Sequence, residues 1–197
     1  MGGGVVSAAD EFDLGVDAYA STEPGQFDDE VLDPCGCRMS VSYGHSQGEA
    51  VPRPLRASAA IDWLVERNPL TITTWNDPVI EAVGHHVRSV YVETFWLPTL
   101  GPSATWLIRR LACWLEADRA CATVELPELA VELGLGAGTG RSSPIIRTLA
   151  RLAQFQAAAP AGDAFAVRRH LAPLPRRLAS QLPNRLAVAL EREDGGG

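Results

Sequence analysis

The stretch from Thr123 to Arg169 constrains this chain more than any other. It reads TVELPELAVELGL, then a glycine-rich turn GAGTGRSS, then PIIRTLARLAQF, and closes with QAAAPAGDAFAVRR. The pattern predicts a short strand, a helix, a turn, a second helix and a two-stranded hairpin. Pro127–Leu133 suits the first helix, because proline is tolerated at a first helical position and acids favour the N-terminus. Ala130 lets a second helix approach closely, and Gly134 is placed to take the left-handed conformation that ends the first. The second helix spans Ser142–Phe155, with Ser142 or Ser143 as cap and Pro144 in its first turn. Ile145, Leu149, Leu152 and Ala153, with Ile146 and Phe155 beside them, repeat at helical spacing and should face the core. Arg147 and Arg151 are four apart and share a face. Phe165 and Val167 alternate with Ala164, Ala166 and Arg168 after the turn residues Pro160–Asp163, as a hairpin requires.

Charge is concentrated in the same region. From Thr139 to Arg185 stand eight arginines (Arg141, Arg147, Arg151, Arg168, Arg169, Arg176, Arg177 and Arg185) against one acid, Asp163. The whole chain carries −7, so the distribution is a split: residues 1–97 hold 15 acids and 5 arginines, residues 98–192 hold 7 acids and 12 arginines. Such asymmetry marks a part that faces a polyanion and an acidic tail. A solvated arginine face is the alternative. All 17 basic residues are arginine. No Schiff-base, phosphate-loop or general-base lysine is available to this chain.

Around this module the chain divides by composition. Residues 1–55 are Gly-rich, acidic and without sustained periodicity, which predicts a disordered acidic tail. Residues 56–100 predict a helical and strand extension packed on the core: a helix at 58–66, a strand at 70–75 (LTITTW), and a helix from Pro78 to Val83. Adjacent His85 and His86 point different ways on either a helix or a strand, so they read as loop or surface residues. Residues 101–192 form the main domain, opening with a core helix at 103–119. Ser103 is its expected cap, and Trp106, Leu107, Ile108, Leu111, Trp114 and Leu115 form its apolar face. Arg176, Arg177 and Arg185 decorate a last helix broken near Pro183, and residues 193–197 form a disordered end. No apolar run approaches the roughly 20 residues of a membrane span. The start lacks a basic-then-apolar leader, and Val6 stands where a myristoylation signal wants Ser or Thr. A cytoplasmic protein without a membrane partner is expected.

The stretches PELAVELGL and RSSPIIRTLARL resemble the positioning and recognition helices of winged helix-turn-helix bacterial transcription regulators, over roughly residues 103–169. The resemblance implies a mainly α fold with a small β wing (α+β): a tri-helical core with a helical N-terminal extension and the acidic tail. It implies duplex DNA as partner, contacted by Arg141, Ser142, Arg147, Thr148 and Arg151 of the turn and recognition helix. Arg168 and Arg169 of the wing, then Arg176 and Arg177, would meet phosphates. Arginine pairs with both guanine acceptors and also binds phosphate without sequence preference, and the two roles stay open here. The turn is longer than in most members of that superfamily. It reaches the DNA backbone through Arg141, or it belongs to a module that contacts protein, through the tail or the Trp-rich segment. A homodimer is a further expectation. The segment YVETFWLPTLGPSATWLIRRL also resembles a group of actinobacterial proteins to which no activity attaches.

Other chemistry is disfavoured. GAGTGRSS lacks the spacing and lysine of a phosphate-binding loop and follows a helix rather than a strand. Cys35-Gly-Cys37 with His45 falls short of the four ligands of structural zinc, so no metal and no cofactor are expected. Cys113 and Cys121 read as buried apolar thiols. Glu81, His85, His86 and Glu93 show no spacing that builds a nucleophile–base pair, and a non-enzyme is expected.

Overall fold

The computed structural model describes Met1, residues 51–116 and residues 121–194. Most of the expected tail, with Cys35, Cys37 and His45, lies outside the described residues, as does most of 193–197. The fold is mixed α+β. Its helices are α1 (Ala57–Val65), α2 (Pro78–Val83), α3 (Leu97–Leu100), α4 (Pro102–Glu116), α5 (Leu126–Glu132), α6 (Pro144–Gln154), α7 (Arg176–Ala179) and α8 (Asn184–Asp194). A π-helical turn, Val92–Trp96, runs directly into α3. The strands are β1 (Leu70–Thr74), β2 (His85–His86), β3 (Cys121–Val124), β4 (Ala158–Ala161), β5 (Ala164–Val167) and β6 (His170–Leu171).

Four strands form one sheet in the order β3-β1-β5-β4. β1 runs antiparallel to β3, with Ile72 opposite Ala122, and parallel to β5, with Ile72 opposite Phe165. The β-branched run LTITT therefore occupies a central strand. Its alternate residues Leu70 and Ile72 are fully buried, while Thr71 and Thr73 are half-buried. β4 and β5 form the expected hairpin, closed between Ala161 and Ala164 by Gly162 and Asp163. Gly162 takes φ +61°, a conformation that side chains disfavour.

That hairpin does not project. All four residues of β4 are buried, and so are Phe165, Ala166 and Val167 of β5. Five alanines and a proline in its two strands make it thin enough to lie inside the fold. The chain ahead of α1 covers its outer edge, where the Arg53 N–H donates to the Pro160 carbonyl at 2.9 Å. Residues 51–55, expected within the tail, thus belong to the folded part.

The helical core follows the predicted spacing. Ile145, Ile146, Leu149, Leu152 and Ala153 of α6 are buried against α1, α4 and β4. α5 ends as its glycine predicts. Gly134 takes φ +68°, its N–H donates to Val131, and the Leu135 N–H reaches back to Ala130. This is the paired closure of a Schellman motif.

Three local expectations are corrected. α4 starts at Pro102 behind Gly101, whose φ is +81°, so Ser103 lies inside the first turn. Trp106 is 63% exposed, whereas Leu107, Ile108, Leu111 and Trp114 are buried. Its turn of the helix belongs to the arc of Arg109, Arg110 and Cys113. His85 and His86 are half-buried strand residues rather than loop: His86 faces His170 across the β2–β6 ladder, and His85 stacks on Tyr91.

Candidate functional site

The face that α6 leaves to solvent is narrow. Pro144, Arg147, Arg151 and Gln154 are exposed, and seven of its eleven residues are buried. This stripe forms the floor of a groove of ≈480 Å³. Ala57 and Ile61 of α1 wall it on one side, and Leu100–Ala104 on the other. α6 occupies this place because its apolar face is broad: α1 packs along one flank and α4 along the other.

Among the described residues, two arginines and no acid line the groove. The Arg151 guanidinium donates to the Thr99 carbonyl at 2.6 Å and lies 5.4 Å from the Phe155 ring, which leans it towards the α3 wall. A carbonyl neutralises nothing, so the cation remains. The Arg147 side chain makes no hydrogen bond or ion pair among the described residues. At the head of the groove α4 begins, and the N–H groups of Ser103 and Ala104 have no acceptor within the helix.

The remaining predicted contact residues are dispersed. Thr148 is 8% exposed and donates its hydroxyl to the Pro144 carbonyl at 2.7 Å, so it presents no polar group outward. Arg141, in the glycine-rich turn, pairs with Asp62 of α1; both side chains are more than half exposed, and neighbouring Ser142 is exposed. Arg176 and Arg177 are exposed on α7, with no ion pair among the described residues.

The two hairpin arginines are committed inside the fold. Arg168 is 8% exposed and stacks on Trp75, its guanidinium carbon 3.7 Å from the ring. Its Nε donates to the Gln156 carbonyl at 2.9 Å and its Nη1 to Asp77 at 2.8 Å. Held by Arg168, and by the Ile80 N–H that it caps at the start of α2, the Asp77 carboxyl titrates below its ordinary value of 3.8. Arg169 is half-buried, 3.6 Å from Glu81. A hairpin lying within the sheet turns these side chains towards α2, where the sequence suggested a wing turning them towards a ligand.

A second cleft of ≈620 Å³ opens on the other side of the start of α4. Trp106, Arg109, Arg110, Cys113, Arg88, Glu132 and Leu133 contribute to it. Arg109 pairs with Glu93 at 2.8 Å and Arg110 with Glu132 at 3.4 Å. Sequence reasoning put Trp106 in the core. Its spacing from Arg109, Arg110 and Cys113, at three, four and seven residues, was the signal for the other face. Among the described residues no group of three or more His, Cys, Asp or Glu is placed to hold a metal ion, and no helix is long and apolar enough to cross a membrane.

The chain matches no known family model, no curated protein and no solved structure.

Proposed function

We propose that residues 102–167 form a winged-helix variant that binds a partner protein through the groove over α6. The order α4, β3, α5, α6, β4, β5 supports the winged-helix reading, and β1, interposed between β3 and β5, is an addition to that layout. The observation that carries the function is the position of the α6 stripe between two walls. The major groove of B-DNA is about 12 Å wide, room for one helix of about 10–12 Å. Ala57 and Ile61 of α1 and Leu100–Ala104 flank the exposed stripe of α6, so an extended segment laid along it is held on both sides, whereas a duplex has to clear both walls to bring its major groove onto α6. Three of the expected DNA contacts also pair with acids: Arg141, Arg168 and Arg169.

A photoreactive benzoylphenylalanine at Gln154, in cells that make the protein, tests this reading. The expected product is a discrete protein adduct that disappears when Arg147→Glu is added. Adducts to DNA alone, or an adduct indifferent to Arg147, would overturn it.

Duplex DNA is the second reading, favoured by Arg147, Arg176 and Arg177, which have no acidic partner among the described residues. Three phosphate contacts give a salt slope of roughly −2.7, at about −0.9 per phosphate. Fluorescence anisotropy on genomic duplexes across a salt series measures it, with wild type and Arg147→Ala/Arg151→Ala. Binding indifferent to salt and to substitution removes DNA as partner.

A further inference from the structure

The groove over α6 does not stop at α4. Pro102 and Ser103 line it on one side and line the second cleft on the other, so the two adjoin at the first turn of that helix. Their chemistries differ. In the second cleft Arg109 and Arg110 already have Glu93 and Glu132 beside them. What it offers is Trp106, the most exposed of the chain's five tryptophans, with the Arg109 guanidinium 5.2 Å from its ring. The groove over α6 offers the reverse: two arginines on its floor, with no acid among the described lining residues, between apolar walls that include Ile61, Leu100 and Ala104.

The geometry points to one occupant of both, an acidic extended segment of the partner protein. Its carboxylates meet Arg147 and Arg151, and an aliphatic or aromatic side chain covers Trp106. This rests on the protein-binding reading above and adds the partner's chemistry to it. Charge complementarity sets the sign, because the α6 groove presents two cations and the positive end of a 15-residue helix and no balancing carboxylate. Trp106 sets the anchor: an exposed indole is the residue type that carries most energy when an interface covers it. Length fits as well. From Pro102 to Cys113 is about 16 Å along α4, and six to eight extended residues at about 3.3 Å each span both clefts.

The test is selection of random dodecapeptides displayed on phage against the full chain, followed by anisotropy with the enriched peptide. Expected are sequences with two Asp or Glu separated from a Leu, Phe or Trp. Arg147→Glu and Trp106→Ala should each weaken the peptide about tenfold or more; both side chains are exposed, so folding is spared. Exchanging one of the peptide's two acids, the one that meets residue 147, for lysine should restore binding to Arg147→Glu, which a merely structural defect would not allow. A basic or uncharged consensus that still depends on Arg147, or an acidic one indifferent to Trp106→Ala, overturns the inference and leaves the groove standing as a protein site. Peptides indifferent to both substitutions remove the groove itself. No enrichment also overturns the inference, and the Gln154 crosslink then decides the wider reading.

Discussion

Arg168 shows how far the position of a single arginine can mislead. In sequence it ends an alternating run beside a second arginine, as a phosphate contact would. In the structure it stacks on Trp75 and joins Gln156 to Asp77, which in turn caps α2. Arg168→Met should therefore lower the midpoint of urea denaturation, since it leaves the Gln156 carbonyl without its donor and removes the charge partner of Asp77. Arg168→Lys should recover little of this, because an ammonium supplies neither the planar stack nor the fork. Ligand binding by the folded fraction of Arg168→Met should stay at the wild-type level. The same pair sets a pH dependence. Asp77 is held below 3.8, so its contribution is complete above that value and is lost as pH falls through the depressed one. Acid titration of stability should be shallower in Arg168→Met than in wild type. Parallel acid limbs would mean that the pair does not hold the α2 cap.

At the scale of elements, most of the helices and the hairpin were legible; the π-helical turn with α3 and the pairing of the sheet were not. α1, α2, α5 and α6 follow from apolar spacing, from proline at helix starts and from Gly134, all of which act within a few residues. β1 was legible as a strand from LTITT, but its neighbours are Ala122, some 50 residues on, and Phe165, over 90 residues on. No local pattern names such partners, and it is this pairing that buries the hairpin and turns its arginines inward. The short β2–β6 ladder has the same long-range origin, and its tightest point is a glycine. A Cβ on Gly84 would strike the Ile80 carbonyl oxygen and come within 2.7 Å of the Leu171 carbonyl oxygen. Both are backbone atoms, which cannot swing aside. Gly84→Ala should destabilise the fold by about 1–3 kcal/mol. Hydrogen exchange should rise first in residues 78–86 and 170–171. A loss of protection spread evenly over α6 and the main sheet would show that the ladder is not a separate closure.

For the whole molecule the governing quantity is where charge lies relative to the α6 groove. The chain carries −7, yet the groove presents Arg147 and Arg151 with no acid in its lining. Residues 2–50 hold ten acids against the single Arg38, so their removal takes the net charge from −7 to +2. Charge acts at a distance whatever contacts a segment makes: the screening length is about 30 Å at 0.01 M salt and about 3 Å at 1 M. An acidic ligand approaching the full chain at low salt meets a net repulsive field, against which Arg147 and Arg151 attract it at the groove. Deleting residues 2–50 should therefore speed association of the selected acidic peptide by of order tenfold near 0.01 M salt, leave dissociation almost unchanged, and lose its effect towards 1 M. The deletion must stop short of Arg53, whose N–H holds the edge of β4. Stopped-flow anisotropy separates the two rates. Equal association rates at low salt would show that the groove's own field outweighs the acids of residues 2–50, and Arg147→Glu in both chain lengths would then measure how much of that field a single guanidinium supplies.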